Sequence, residues 1–279
     1  MRTAAVRPAN DAAEARGDIR AGIHTGPTSG LAPGYAQANL VVLPQQDALD
    51  FLRFCVRNPG PCPLLEVTDT GSPHPDLLAV DADLRTDIPR YRVFRGGECI
   101  DEPTDISSYW QADLVAFLLG CSFTFEWALA ASGLPLAHQE QGKNVPMYVT
   151  NRSCIDAGPF RGPLVVSMRP FAPNDIAHVT EITARFPAMH GAPVHIGDPA
   201  ALGIANLDDP DFGDPVSIGT DEVPVFWACG VTPQVVVQNA RPSMAIFHSP
   251  GHMFITDLPH DHFDCSSRAA ESHQPGGHP

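Results

Sequence analysis

Short apolar runs alternate with amphipathic stretches along most of the chain. Leu40–Leu43 predicts a buried strand, and apolar residues at helical spacing predict a helix over 47–56 that stops at Asn58-Pro59-Gly60. The same patterns predict further strands at 64–68, 146–150, 164–168, 223–229, 245–247 and 253–256, and helices at 109–119, 123–132, 175–186 and 233–240. Such alternation is typical of an α/β fold whose sheet is at least partly parallel and is covered on both faces.

The two ends and the middle of the chain differ from this alternating pattern. Residues 1–20 have no clear helix start and predict a frayed helix or a flexible arm, and residues 259–279 are poor in large apolar side chains and predict a disordered tail. Proline-rich connections near 135–144 and 206–222 mark the expected domain boundaries. We therefore expect a discontinuous core domain of residues 21–135 and 205–258, with a smaller α+β domain of residues 136–204 inserted into it.

Composition narrows the range of partners. The 279 residues are 43% hydrophobic and carry a net charge of −15, so the chain is globular and its field repels phosphate backbones and anionic lipids. We expect no nucleic-acid or membrane partner; a small anionic metabolite would need locally placed arginines, and a homo-oligomer remains compatible with these features. The seven cysteines have no C-x-x-C spacing, and no secretory or membrane-spanning segment is evident, which favours reduced thiols in the cytoplasm.

Two loops in the first third of the chain are candidates for ligand binding. Thr28 lies in the small-residue loop 25–30, which can bring backbone N–H groups close to a ligand or can be a structural turn. Arg85 lies in the charged segment 83–92, where it can grip a carboxylate or belong to a surface ion-pair cluster.

Gly120-Cys121-Ser122 is predicted to break an apolar helix. A break of this kind exposes N–H groups that suit an anion, which makes Ser122 a candidate for substrate binding. Glu126 follows within an apolar stretch, so burial would raise its pKa as a general acid or base requires. Alternatively, Glu126 faces solvent while its neighbours pack.

Histidines mark two later segments. His190 and His195 precede Asp198 within nine residues, and such side chains serve either acid–base chemistry or metal binding. Their spacing is not that of a helical metal pair. His248 and His252 flank a Pro-Gly turn at a strand end and are candidate proton carriers.

The segment 223–234 reads as a buried strand that turns at Gly230 into a helix capped by Thr232, the usual place for an anionic ligand in an α/β sheet. Cys229, at the strand end, is either a nucleophile or a packed structural thiol. No adjacent base is present in the sequence.

Taken in order, several long phrases resemble the D-glutamate cyclase family, whose bacterial members are labelled hydro-lyases. The resemblance runs from about Arg20 to Leu258 and is carried by GPTSGLAPGYAQANLVVLP, DLRTDIPRYRV, EPTDI, DLVAFLLGCSFTFEWAL, NVPMY, VVSMRP, FPAMHGAPVHIGDP, VPVFWACGVTPQ and SPGHMFITD. It implies a three-layer α/β/α core with a mixed sheet and a smaller inserted α+β domain. It also implies a carbon–oxygen lyase acting on a small amino or carboxylic acid, as in a larger mitochondrial relative that dehydrates D-glutamate to 5-oxo-D-proline. No cofactor is identified, and two alternatives are a metal-dependent hydrolase using residues 190–198 and a non-catalytic binding protein for an anionic metabolite.

Closing glutamate to a lactam requires a base, an acid, an oxyanion site and a cation for the α-carboxylate. By residue type, Arg85 suits the carboxylate, Glu126 or His190 the base, His248 the acid, and the amides after Gly230 the oxyanion. We expect Arg85 to face a single pocket, lined by at least three of the segments 26–30, 120–122, 190–195, 230–232 and 248–252.

Overall fold

The computed structural model describes residues 11–266. Its helices are α1 (Ala12–Arg20), α2 (Gln45–Arg57), α3 (Phe123–Ala131), α4 (Ala137–Glu140), α5 (Ile176–Ala184) and α6 (Thr232–Ala240). Its strands are β1 (Tyr35–Pro44), β2 (Leu64–Val67), β3 (Tyr91–Arg95), β4 (Glu98–Asp101), β5 (Leu114–Gly120), β6 (Met147–Ser153), β7 (Pro163–Phe171), β8 (His195–Ile196), β9 (Val223–Ala228), β10 (Ala245–His248) and β11 (Phe254–Pro259). Helices and strands thus mix as the α/β class predicts.

The strands form two sheets. The first has the order β2-β5-β1-β10-β3-β4, with β11 also paired to β1, and the second has the order β6-β7-β9-β8. Helices α2 and α6 pack on one face of the first sheet, while irregular chain between β2 and β5 covers the other face. Helices α3 and α5 cover the second sheet. Each sheet therefore has its own apolar core.

The sheets differ from the predicted partly parallel arrangement. Every strand pairing among the described residues is antiparallel. Two errors in the sequence interpretation explain the difference: the predicted helix 109–119 is the fully buried strand β5, and the β3–β4 hairpin at Gly96-Gly97 was missed. A fully buried strand has no alternation of polar and apolar residues, so periodicity cannot separate it from a buried helix.

Two helices cross from one sheet to the other, and this crossing positions the site. β5 belongs to the first sheet, but α3, which follows it, packs through Phe125 and Leu129 on the second. β9 belongs to the second sheet, but α6, which follows it, packs through Val236 and Val237 on the first. Both strand-to-helix turns consequently lie at the junction of the two sheets.

The described parts of both ends are packed. Residues 12–20, predicted as part of a frayed helix or a flexible arm, form the packed helix α1, whose buried Arg16 pairs with Asp257 at 2.7 Å and donates to the Ile255 carbonyl. Of the predicted disordered tail, residues 260–263 form a 3₁₀ turn with His260 buried, and residues 267–279 lie outside the described residues. β9 pairs with β7, so the second sheet extends beyond the predicted boundary at residue 204.

Candidate functional site

A cleft of about 440 Å³, including the part open to solvent, lies at the junction of the two sheets. Four of the five predicted segments contribute to it, through residues 121–122, His190, Gly230 and residues 248–251. Its remaining lining residues are Asn39, Phe123, Asn144, Val145, Met147, Cys229, Val231 and Met253. Among the described residues, no Asp, Glu, Lys or Arg side chain lines it, although the chain carries a net charge of −15.

The first wall of the cleft is the turn from β5 into α3. Gly120 ends the strand, and a side chain there would place its Cβ 1.9 Å from the Ala188 carbonyl oxygen. The Cys121 N–H donates to the Met189 sulfur at 3.3 Å, so the turn packs tightly against the segment that carries His190. Gly120 is therefore required by a close backbone approach, and the turn is not the break in a helix that the sequence predicted.

A buried ion pair supports this turn from behind. Arg169, in the middle of β7, is fully buried; it donates from Nε to Glu126 Oε1 at 2.9 Å and pairs with the same oxygen through Nη2. Nη2 also donates to Ser122 Oγ at 3.0 Å. Because Ser122 Oγ accepts from a cation, its own proton is free to donate into the cleft as a polarised hydroxyl.

The pKa of Glu126 contradicts its predicted role as a base. Burial by itself raises this pKa, but the Arg169 guanidinium and His138 outweigh burial and hold it at about 2. Gln139 Nε2 donates to the other carboxylate oxygen at 3.0 Å. Glu126 is thus an ionised partner of Arg169. Both oxygens of the Glu126 carboxylate already have partners within the protein. A role for Glu126 in proton abstraction is therefore not supported.

The second wall is the turn from β9 into α6. A Cβ on Gly230 would lie 2.5 Å from Asn39 Nδ2, so only glycine lets the turn approach Asn39 so closely. Thr232 is not the predicted cap: it is the first residue of the helix, is fully buried, and accepts from the Val165 N–H at 3.0 Å. Thr232 therefore fixes α6 to β7 and does not contact the cleft.

His190 lies in the cleft on a strained backbone. Its φ of +76° is in the left-handed region, which a residue other than glycine adopts at a cost of about 1–3 kcal/mol. Its Nδ1 lies 2.9 Å from the Gly60 carbonyl oxygen, which can only accept. The ring also contacts the backbone of Gly120, and burial lowers the pKa of the ring to about 4.

His248 lies across the cleft with both ring nitrogens engaged. Nδ1 lies 2.8 Å from the Ser249 carbonyl, and Nε2 lies 3.0 Å from Asn39 Oδ1 and 3.3 Å from Gln234 Nε2. Burial lowers the pKa of this ring to about 4 as well. Both histidines of the cleft are consequently neutral at pH 7.

Two thiols also line the cleft. Burial raises the pKa of Cys121 to about 12 and that of Cys229 to about 11. A thiol with so high a pKa is a poor nucleophile at neutral pH. The structural interpretation of Cys229 is thus favoured over the nucleophilic one.

Comparison with known proteins identifies the family to which the chain belongs. The family model described as D-glutamate cyclase matches residues 115–257, which include both turns and both cleft histidines. Proteins curated under the name "Putative hydro-lyase" match nearly the whole chain. The one from Rubrobacter xylanophilus is 68% identical over 246 residues, covering 88% of this chain and 95% of the relative. The chain belongs to the D-glutamate cyclase family.

Two further proteins named "Putative hydro-lyase" extend the comparison for this D-glutamate cyclase family member. That of Thermoanaerobacter sp. is 60% identical over 90% of this chain and 95% of its own length, and that of Bordetella pertussis is 60% identical over 88% of each. The crystal structure of a nitrogen repressor-like protein from Methanococcus jannaschii covers 91% of this chain and all of that one at 11% identity. Its TM-score of 0.36 is too low to support a conclusion about fold or ligand.

Besides Thr232, two predicted substrate-binding residues of the cyclase-family chain lie outside the cleft. Arg85 does not line the cleft, because its guanidinium is held by Asp83 through Nε at 2.9 Å and Nη2 at 2.6 Å. Thr28 is fully buried: its Oγ1 donates to Gln37 Oε1 at 2.7 Å and accepts from the Met253 N–H at 2.9 Å. It anchors the loop that carries Gly251, and does so without reaching the cleft itself.

The loop 26–30 reaches a neighbouring cavity. Ser29 and Gly30 line a space of about 670 Å³, including its open part, together with Glu126, Trp127 and His260. Phe123 lines both spaces, so the start of α3 separates them. The fifth predicted segment therefore lies beside the cleft.

The metal-dependent alternative finds no ligand set in the described part of this cyclase-family chain, where no three His, Cys, Asp or Glu side chains are grouped to hold a metal. His195 Nε2 contacts the Asp198 carbonyl at 2.7 Å and its ring lies against Phe226. Nor is any described helix both long and apolar enough to span a bilayer.

Sequence reasoning missed two residues that organise the site. Arg169 stands between buried strand residues, and a charge in such a run is a signal of a buried pair. Asn39 likewise interrupts the apolar run of β1. Each position directly adjoins a predicted strand, 40–43 or 164–168, but its partners come from distant parts of the chain.

Proposed function

We propose that this chain is a hydro-lyase that closes D-glutamate to 5-oxo-D-proline in the cleft between the two turns. Family membership and the names of its relatives support the reaction class. The observation that carries the proposal is the convergence of two helix starts and two neutral histidines on one cleft without charged side chains. The free thiols of all seven cysteines favour a cytoplasmic location.

The cleft suits an anion although no arginine lines it. The helix dipoles of α3 and α6 favour negative charge at these ends. Some of the first N–H groups are already used within the turns, since Thr124 donates to the Cys121 carbonyl at 3.3 Å and Thr232 donates to the Cys229 carbonyl at 3.0 Å. The Ser122 hydroxyl adds a donor that Arg169 polarises. We therefore place the carboxylate that does not react at Ser122 and the start of α3.

The reacting carboxylate then lies toward Gly230 and the start of α6. Attack of the substrate nitrogen on this carboxyl carbon forms a C–N bond and moves negative charge onto oxygen. Backbone N–H groups aimed at that oxygen would stabilise the tetrahedral intermediate. Gly230 brings this backbone close to Asn39, because any side chain at that position would collide with the asparagine.

The reaction moves two protons from nitrogen to oxygen. The ammonium loses one proton before attack and a second as the amide forms, and the departing oxygen leaves as water after gaining two. His190 can carry these protons, because its neutral ring lines the cleft and Gly60 holds it through Nδ1. The bound carboxylates raise the proton affinity of an imidazole that burial alone keeps neutral.

Incubation of the purified full chain with D-glutamate, followed by chiral chromatography of 5-oxoproline, tests the proposal. We expect 5-oxo-D-proline to form above the enzyme-free rate, and His190→Gln to reduce kcat by about 10²-fold or more. His178→Gln is the matched control, because His178 is exposed on α5. Absence of product above the enzyme-free rate would contradict the function, and full activity of His190→Gln would contradict the role of His190.

A further inference from the structure

Asn39 joins three parts of the cleft. It projects from β1, which runs between β5 and β10. Its Nδ2 donates to the Gly120 carbonyl at 2.7 Å, and its Oδ1 lies 3.0 Å from His248 Nε2. Because the carbonyl of Gly120 can only accept, the amide orientation is fixed, and Oδ1 must face the histidine.

Gln234 approaches the same ring nitrogen from α6. Its Nε2 lies 3.3 Å from His248 Nε2, and its side chain is buried. A carboxamide NH₂ is a donor, so Gln234 is satisfied when Nε2 of the histidine carries a lone pair. Asn39 Oδ1 is an acceptor, so Asn39 is satisfied when the same nitrogen carries a proton.

The other ring nitrogen does not resolve this conflict. Nδ1 faces the Ser249 carbonyl at 2.8 Å, and a carbonyl favours a proton on Nδ1. A neutral ring has one proton, so with that proton on Nδ1 it satisfies Ser249 and Gln234 but leaves Asn39 Oδ1 against a lone pair. A protonated ring satisfies Ser249 and Asn39 but opposes the NH₂ group that Gln234 directs at it in this structure. The two amides therefore favour different protonation states of His248.

We infer that Asn39 and Gln234 are positioning residues that act on His248 in opposite directions, Asn39 stabilising the protonated ring and Gln234 the neutral one. His248 is thereby a second group of the cleft that can take up a proton and release it. This inference rests on the proposed function only for its use in turnover; the effect of the two amides on His248 is independent of the reaction.

Few other titratable groups surround His248. His252, on the same loop, disfavours its protonation, and His190, Cys121 and Cys229 lie across the cleft. Among the described cleft-lining residues no carboxylate offsets the burial of a charged ring. The two amides are consequently the nearest polar side chains that can decide its state.

Histidine-labelled full-length protein gives the test, with ring carbon and nitrogen chemical shifts followed by NMR against pH and His248→Gln used for assignment. Asn39→Leu and Gln234→Leu each remove one amide and keep an apolar side chain. We expect Gln234→Leu to raise the pKa of His248 and Asn39→Leu to lower it, each by about one pH unit. Asn39→Asp, which supplies a charged acceptor, should raise it further.

A matched control is Asn58→Leu, since Asn58 is another buried asparagine whose partners, Phe54 and Ile155, lie outside the cleft. It should lower stability without moving the titration of His248. If Asn39→Leu does not fold, Gly230→Ala displaces Asn39 by a collision and should also lower the pKa.

Shifts of His248 in the same direction for Gln234→Leu and Asn39→Leu, or no shift in either, would overturn the inference. The pH profile of kcat/KM on D-glutamate is measured in the same variants. Opposite NMR shifts support the inference whether or not turnover occurs, whereas opposite NMR shifts without any 5-oxoproline in the wild type would contradict the proposed function alone.

Discussion

The two turns that form the cleft have the same sequence pattern and different supports. Residues 118–124 and 226–232 each run as two large apolar residues, a small one, cysteine, a second small residue, an apolar residue and threonine. The first turn rests on the buried Arg169–Glu126 pair, and the second rests on uncharged contacts of Thr232 and Asn39. A common sequence pattern therefore supplies two helix starts, and the residues behind the two turns differ in charge.

Each turn also holds one histidine. The first packs against Ala188 and Met189, which precede His190, and the second reaches His248 through Asn39 and Gln234. Under the proposed function, the Ser122 hydroxyl that Arg169 polarises suits a carboxylate that stays ionised throughout the reaction. A neutral support suits an oxygen whose charge develops and then disappears, because a fixed cation there would bind substrate and intermediate alike.

The largest expected effect comes from breaking the support of the first turn. Arg169→Met leaves Glu126 ionised and buried with only His138 and Gln139 as partners, so we expect a loss of about 3–5 kcal/mol in the free energy of unfolding. Ser122 also loses the donor that polarises its hydroxyl, which should raise KM for D-glutamate. Urea denaturation and steady-state kinetics measure the two effects.

The double variant Arg169→Met with Glu126→Gln separates the charge from the packing. Removing both charges avoids an unpaired ion, so the double variant should be more stable than Arg169→Met alone. KM should stay raised, because the Ser122 contact is still absent. Equal stability of the single and double variants would show that the ion pair is not what supports this turn.

Acidification is expected to have the next largest effect, and it tests the histidine at each turn. The pKa of His190 and His248 is about 4 in the folded chain, below the unfolded value of about 6.5. Between these values the unfolded chain therefore binds more protons than the folded chain. The stability that comes from the two neutral rings is fully present above pH 6.5 and falls as the pH drops toward 4. Each ring contributes up to about 1.4 kcal/mol per pH unit in this window.

His190→Gln and His248→Gln should each flatten this dependence, as measured by urea denaturation between pH 4.5 and 7 (approximate limits set by the ring pKa values). His260, whose pKa is also lowered to about 4 by burial, leaves a residual slope in both variants. Exposed His178 is the control position. A dependence that is unchanged in both variants would mean that these rings are not held neutral by burial.

Much of the fold was predictable because many of its segments show a clear periodicity of apolar residues or end at a clear stop signal. The helix at 45–57 and the strands at 163–171 and 223–228 lie where apolar spacing placed them. β5 was mistaken for a helix, since all seven of its residues are buried and no polar face marks the period of a strand. Strand direction was also wrong, because it depends on pairing between distant segments.

The candidate site was predictable in its location and less so in its roles. Glycine and histidine at predicted strand ends correctly marked four segments of one cleft. The expectation that burial raises the pKa of Glu126 was wrong, because this pKa depends on Arg169, 43 residues away, which no local pattern reveals. Arg85 resembled a carboxylate clamp in sequence, but its neighbour Asp83 already occupies the guanidinium.

The smallest expected effect distinguishes the cysteines that occupy equivalent places in the two turns. Burial raises the pKa of both Cys121 and Cys229, so both are thiols at pH 8, and neither is expected to act as a nucleophile. Cys229→Ala should therefore change kcat by no more than about threefold, the scale of a packing adjustment and far from the loss of a covalent step. Cys121→Ala should behave similarly, with somewhat lower stability because Cys121 is the more deeply buried of the two.

In an iodoacetamide time course at pH 8 followed by peptide mass spectrometry, exposed Cys99 and Cys265 should be modified well before either cleft cysteine. Rapid labelling of Cys229 with parallel loss of turnover, or a thousandfold fall in kcat for Cys229→Ala, would restore the nucleophilic interpretation and make the second turn chemically unlike the first.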